Sequence, residues 1–120
     1  MKLYTVQLAK YRLCGKVNAE FLDTTIKTGV YAFAPNWDMV LAHKAGTMSD
    51  DEYVELFKIR MIESQKTYPE IWSALAHVDT LAIGCYCKAG KFCHRLLLID
   101  YFKTYCEENE IPFEYMGELE

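Results

Sequence analysis

The hydrophobic residues of the chain follow two patterns. Short apolar or alternating runs are typical of strands and cover residues 2–9, 21–26, 81–84 and 113–116. Apolar residues spaced three and four positions apart are typical of helices and cover residues 37–44, 50–64, 68–78 and the region beginning at Leu96. Strands and helices therefore alternate along most of the chain.

Three of the predicted helices carry a start signal. Asn36 is a residue type that caps helices, and Ser49 with Glu52 three positions later forms a capping-box pattern. Pro69 suits the first turn of the next helix. Strands separated by helices predict an α/β fold, which we describe as a single layered domain over residues 1–120 with a small, mostly parallel sheet flanked by helices.

The stretch over residues 80–102 combines a strand, a short loop and a helix. Its loop lies at a helix N-terminus, where free backbone N–H groups and the helix dipole favour anions. Parallel sheets also bind ligands beyond the carboxyl ends of their strands. This corner, residues 85–95, therefore predicts an anion-binding site, to which side-chain donors are added by Lys88, Lys91, His94 and Arg95.

Cationic residues also follow the other two predicted strands. Lys10 and Arg12 come after the first strand, and Lys27 comes after the second. If the three strands are parallel neighbours, these side chains meet the corner at one edge of the sheet and favour a phosphate- or carboxylate-bearing ligand. Tyr11 and Trp37 can stack on its base or ring. The predicted ligand-binding residues are Lys10, Tyr11, Arg12, Lys27, Trp37, Lys88, Lys91 and Arg95.

The candidate catalytic residues are His94, Cys93 and Asp23, and each has a structural interpretation as well. His94 is either an acid–base catalyst or a capping residue, and Cys93 is either a thiolate nucleophile or a small buried hydrophobe. Asp23, a lone acid in an apolar strand, is either a base or an ion-pair partner. Arg95 either captures phosphate or pairs with a core acid such as Asp23 or Asp100.

Three cysteines and a histidine fall close together in the sequence. Cys85, Cys87, Cys93 and His94 have ligand types suited to zinc, but their spacing differs from the usual finger patterns. We therefore predict no cofactor and no metal. Cysteine-based thiol chemistry or zinc-dependent chemistry remains an alternative.

The charge and composition of the chain limit the classes of partner that we expect. The net charge is −4, and six of the seventeen acidic residues lie within residues 107–120, which argues against an extended nucleic-acid surface. No apolar run reaches the roughly 18 residues of a membrane span. An odd number of cysteines and a start without a leader pattern predict reduced thiols in the cytoplasm. Exposed aromatic residues are compatible with a homodimer.

The spacing from Cys85 to the triplet Cys93-His94-Arg95 resembles the bacterial and phage domain-of-unknown-function family numbered 488. In that family a strand ends in a cysteine, and a Cys-His-Arg triplet opens a helix eight residues later. The resemblance covers most of the chain and implies an α/β fold acting on nucleotides, nucleosides or modified bases. Segments similar to the phage-type subgroup are Phe33-Ala34-Pro35 with Trp37, Lys44-Ala45-Gly46-Thr47, the helix start at residues 49–53, and Tyr115-Met116-Gly117-Glu118.

We therefore expect a domain that binds a nucleotide-like, phosphate-bearing small molecule at residues 85–95. Arg95 and the helix N-terminus hold the phosphate, His94 donates or relays a proton, and Trp37 or Tyr11 stacks on the ring. This expectation is compatible with two alternative activities. One is a hydrolase or glycosidic-bond enzyme, and the other is a non-enzymatic protein that sequesters a nucleotide signal in phage counter-defence.

Overall fold

The computed structural model describes residues 1–87 and 91–120, and its helices and strands alternate along the chain. The strands are β1 (Lys2–Gln7), β2 (Glu20–Asp23), β3 (Thr80–Cys85) and β4 (Glu114–Leu119). The α-helices are α1 (Trp37–Lys44), α2 (Asp50–Thr67), α3 (Pro69–Ala76) and α4 (His94–Glu108). Two further segments, Leu8–Val17 and Tyr31–Phe33, are 3-10 helices.

The four strands form one parallel sheet in the order β2-β3-β1-β4. This confirms the predicted α/β fold with a small parallel sheet. Gln7 pairs with Cys85, and Asp23 pairs with Gly84, so β1, β2 and β3 all end at the same edge. The three strands are thus parallel neighbours, which was the condition for a ligand site at that edge.

The strand ends differ from the hydrophobic pattern for local reasons. β1 ends at Gln7, earlier than predicted, because the chain turns there into the 3-10 helix Leu8–Val17. β2 ends at Asp23 because the Asp23 carboxylate accepts a hydrogen bond from the backbone N–H of Thr25, at 2.9 Å, and bends the chain. β4 is longer than predicted because it pairs along most of β1.

The larger hydrophobic core lies between one face of the sheet and the helices. Leu3, Leu81 and Ile83 of the sheet belong to the same buried cluster as Trp72 of α3 and Phe102 of α4. Burial of each such side chain contributes about 1.5–3 kcal/mol. The opposite face carries a smaller cluster beneath the first 3-10 helix. This packing fixes β3 and α4, whose junction holds the candidate site.

The helix starts follow the signals in the sequence. The Asn36 side chain accepts a hydrogen bond from the backbone N–H of Met39, at 2.8 Å. Ser49 and Glu52 form the complete capping box ahead of α2, and Pro69 is the first residue of α3. Within the described ranges, no helix has both the length and the hydropathy that a membrane crossing requires.

Candidate functional site

A cavity of about 580 Å³ opens at the carboxyl edge of the sheet, beside the end of β3. The turn after β2, helix α1, Tyr53 of α2 and residues near the end of β3 and the start of α4 form its walls. Three buried residues with metal-binding or nucleophilic side chains also line it, and we call them the floor: Cys85, Cys93 and His94. The position beyond the strand ends is where parallel sheets commonly bind ligands.

The turn after β2 is shaped by the side chain of Asp23. Its carboxylate accepts hydrogen bonds from the Thr25 backbone N–H, at 2.9 Å, and from the Thr28 hydroxyl, at 2.6 Å. Gly29 then packs so closely on the backbone of this turn that a Cβ atom would overlap it. Asp23 therefore supports the cavity wall, and these contacts correct the expectation that it pairs with Arg95.

His94 is the first residue of α4 and its side chain is held by the turn after β2. Its Nε2 lies 2.8 Å from the Thr24 carbonyl oxygen and 3.0 Å from the Thr24 hydroxyl oxygen. Because a carbonyl oxygen only accepts, Nε2 carries the proton in this arrangement. Burial lowers the pKa of His94 to about 4, so the ring is neutral near pH 7 and its Nδ1 is unprotonated. That Nδ1 lies 3.6 Å from the sulfur of Cys93.

The two floor cysteines face each other across the strand–helix junction. Cys85 ends β3 and Cys93 immediately precedes α4. Their sulfur atoms are in bonding contact, and their Cα atoms are 7.8 Å apart. One ligand atom from each of Cys85, Cys93 and His94 lies within 4.8 Å of the other two. Cys87, the fourth member of the predicted group, is an exposed free cysteine in the cavity wall and is not part of this described cluster.

Arg95 is wholly buried and is fully engaged by protein groups. Its Nη2 and Nε atoms donate to the two carboxylate oxygens of Glu118, at 3.0 and 3.3 Å. Its Nη1 donates to the Cys87 carbonyl oxygen, at 2.7 Å, and to the Cys85 sulfur, at 2.9 Å. These contacts correct the prediction that Arg95 captures a phosphate. It holds the floor and the backbone of Cys87 in place, and the acid that pairs with it comes from β4.

The other predicted ligand-binding residues separate into two groups. Lys27 and the half-exposed Trp37 lie in the cavity wall. Lys91 is exposed and is not part of the wall that the described residues form, while Lys88 lies outside the described residues.

Three predicted ligand-binding residues that follow β1 also do not line the described cavity. Lys10, Tyr11 and Arg12 belong to the 3-10 helix that crosses the opposite face of the sheet. Tyr11 packs there against Phe21, with ring centroids 6.0 Å apart, and Arg12 lies over the Tyr11 ring. The expectation that these three side chains meet the corner at one edge of the sheet is therefore corrected, because the chain turns away from that edge as soon as β1 ends.

An aromatic group in the wall was not predicted. The rings of His43, Tyr53 and Phe92 lie with centroids 5.0–5.4 Å apart, and all three residues line the cavity. Burial raises the pKa of Tyr53, so its hydroxyl stays protonated. The helical spacing of α2 had placed Tyr53 on a buried face, but nothing in the sequence joined it to Phe92.

Two supporting residues were also missed, Thr24 and Glu118. Glu118 belongs to the segment Tyr115-Met116-Gly117-Glu118, and its expected likeness to a family subgroup was the available signal for it. Thr24 had no signal beyond following Asp23, because its contact with His94 spans seventy positions of sequence.

Comparison with protein families gives one match. Residues 7–106 match the model described as the active DUF488-N3 subclade. Neither the curated proteins nor the solved structures gave a match. The matched region contains the whole cavity wall and the floor, although Glu118 lies beyond it. Because the match spans most of the chain, the protein belongs to the DUF488 family.

Proposed function

We propose that the cavity binds a nucleotide-like, phosphate-bearing small molecule. The observation that carries the proposal is a single cavity wall that combines aromatic rings, two lysines and a polar floor. Its volume, about 580 Å³, falls in the range of roughly 300–1,000 Å³ that small-molecule sites occupy. Mostly apolar walls with a few convergent polar groups are the usual composition of such sites.

The aromatic part of the wall suits a nucleobase. Trp37, the first residue of α1, is 50 % exposed, and the more buried Tyr53 and Phe92 line the same cavity. A flat base gains about 1–3 kcal/mol from stacking on one such ring. The base therefore lies among these rings, with Trp37 at the mouth of the cavity.

The phosphate lies at the lysines of the wall. Lys27, in the turn after β2, and Lys44, at the end of α1, both line the cavity and are exposed. Their ammonium groups supply positive charge on a protein of net charge −4. This assignment replaces Arg95, whose donors already have protein partners.

A second candidate function is chemistry on the bound molecule, of the hydrolase or glycosidic-bond class. His94 and Cys93 favour it, because both reach the cavity from its floor. The description of the matched subclade as active agrees with this candidate. The exposed free thiol of Cys87 suits a reducing compartment, and we place this activity in the cytoplasm.

Thermal unfolding in the presence of matched nucleosides and nucleotides tests the proposal. A ligand at a hundred times its Kd adds about 2.7 kcal/mol, which raises the Tm of a domain of this size by roughly ten degrees. Trp37→Ala is expected to reduce the Tm shift caused by the nucleoside and the Tm shift caused by the matched nucleotide. The double change Lys27→Ala/Lys44→Ala is expected to reduce only the Tm shift caused by the nucleotide.

Lys58→Ala is the matched control, because Lys58 is exposed on α2 and is not part of the described cavity wall. A panel without any Tm shift, or shifts that survive all the cavity variants, would contradict the proposal. Where a ligand is found, product formation over time identifies an enzyme. Tight retention of unchanged ligand instead identifies a binding protein that sequesters a nucleotide, as in phage counter-defence.

A further inference from the structure

We propose that the floor, Cys85, Cys93 and His94, binds one zinc ion whose fourth coordination position opens into the cavity. The site follows from the geometry of this chain and holds whatever molecule the cavity binds. Where the proposed function is also correct, it places a metal ion against the bound molecule. His94 and Cys93 then act as ligands of the ion, not as a free base and a free nucleophile.

The distance between Cys93 and His94 suits tetrahedral zinc, whereas the two sulfur atoms, which are in bonding contact, have to separate to admit the ion. The Cys93 sulfur and the His94 Nδ1 are 3.6 Å apart. Zinc bonds of about 2.3 Å to sulfur and about 2.0–2.1 Å to nitrogen, at a tetrahedral angle, place two such atoms about 3.6 Å apart. The third ligand atom, the Cys85 sulfur, lies within 4.8 Å of both.

The backbone around the two cysteines also suits an ion. Their Cα atoms are 7.8 Å apart. Cysteines joined by a disulfide usually have Cα atoms roughly 4.4–6.8 Å apart, so a covalent bridge would require β3 and α4 to approach each other. A zinc ion between the two sulfurs instead suits the observed separation of their Cα atoms, once the sulfur atoms have separated.

The surrounding hydrogen bonds orient two of the three ligands. His94 donates its Nε2–H to the Thr24 carbonyl oxygen, which turns the unprotonated Nδ1 toward Cys93. A histidine that binds zinc almost always donates its other N–H in this way. Arg95 donates to the Cys85 sulfur, at 2.9 Å, as expected for a donor that stabilises a thiolate.

The charges of this buried region balance when zinc is present. Two thiolates neutralise one divalent ion, and Arg95 is neutralised by Glu118. A buried cluster without net charge avoids most of the free-energy penalty of an isolated buried charge. Three protein ligands with one open position are typical of catalytic zinc sites, in which water takes the fourth place. All three ligands line the cavity, so that place faces the bound molecule.

Metal content measured on protein purified under reducing conditions, without chelators, tests the site. We expect one zinc ion per chain in the unmodified protein and loss of zinc in Cys93→Ser and in His94→Gln. Cys87→Ser and Cys106→Ser are the matched controls and are expected to retain it, because neither residue belongs to the described cluster. Replacement by Co²⁺ is expected to give the thiolate charge-transfer band and the intense visible bands of tetrahedral cobalt.

Chelation of the unmodified protein provides a readout that does not depend on folding of the variants. We expect a chelator to remove the zinc and lower the Tm, and added zinc to restore both. Protein that contains no zinc after growth in zinc-supplemented medium, and does not take up Co²⁺, overturns the proposal. Loss of zinc in Cys87→Ser would mean that Cys87 is the fourth ligand, and it would overturn the proposal of an open fourth position. Both results are independent of whether any nucleotide binds.

Discussion

Arg95 and Glu118 form a two-point ion pair that joins the start of α4 to the last strand of the sheet. The Nη2–Oε2 distance is 3.0 Å and the Nε–Oε1 distance is 3.3 Å, with Arg95 wholly buried and the Glu118 side chain 17 % exposed. The same guanidinium also reaches the sulfur of Cys85 and the carbonyl oxygen of Cys87. The pair therefore links β4 to the floor of the cavity.

Glu118→Ala is expected to lower the free energy of unfolding by about 3 kcal/mol, because it leaves the buried guanidinium without its carboxylate. Urea unfolding measures this change. Glu114→Ala is the matched control, since Glu114 is exposed on the same strand, and is expected to change the free energy by less than about 0.5 kcal/mol. Equal effects of the two changes would show that the ion pair does not stabilise the fold.

Gly29→Ala is expected to destabilise the protein by about 1–3 kcal/mol, because the added Cβ overlaps the backbone of Asp23 and Thr25 and the turn has to shift. Gly15→Ala serves as the control, since nothing lies within 4 Å of a Cβ at that position. Thermal unfolding of both variants measures the difference. A Gly29→Ala protein as stable as the Gly15→Ala protein would mean that the turn is less tightly packed than described.

Asp23→Ala is expected to reduce stability by about 1–2 kcal/mol, because the Thr28 hydroxyl and the Thr25 backbone N–H then lose their carboxylate acceptor. Thr28→Val removes the bond between Thr28 and Asp23 from the other side. A double-mutant cycle should therefore show that the two changes are less than additive. Strict additivity in urea unfolding would mean that this hydrogen bond contributes nothing.

The free cysteines are expected to react with an alkylating agent at very different rates. Cys87 is exposed, whereas Cys14 and Cys106 are buried and burial raises the pKa of both thiols. At pH 8 the thiolate fraction of Cys14 and Cys106 is therefore smaller than that of a thiol with the ordinary pKa. Their alkylation should accelerate as the pH rises further. Peptide mass spectrometry over time measures each site. Alkylation of Cys106 as fast as that of Cys87 would contradict the described burial.

The sequence by itself determined the features that depend on neighbouring residues. Asn36 and Ser49 begin helices because their side chains bond backbone N–H groups three positions later. The alternation of strand and helix patterns predicted a parallel α/β sheet, and the strand–loop–helix over residues 80–102 located the candidate site. The spacing of Cys85 and the Cys93-His94-Arg95 triplet was also sufficient to recognise the DUF488 family.

Only the tertiary structure decided which partner each side chain meets. Arg95 looked like a phosphate ligand until β4, more than twenty positions away, supplied Glu118. Tyr11 follows β1 in the sequence, as an edge residue would, yet it lies on the opposite face of the sheet because the chain turns after Gln7. The aromatic wall joins α1, α2 and the approach to α4. Such contacts depend on strand order and helix packing, and local sequence patterns carry no information about either.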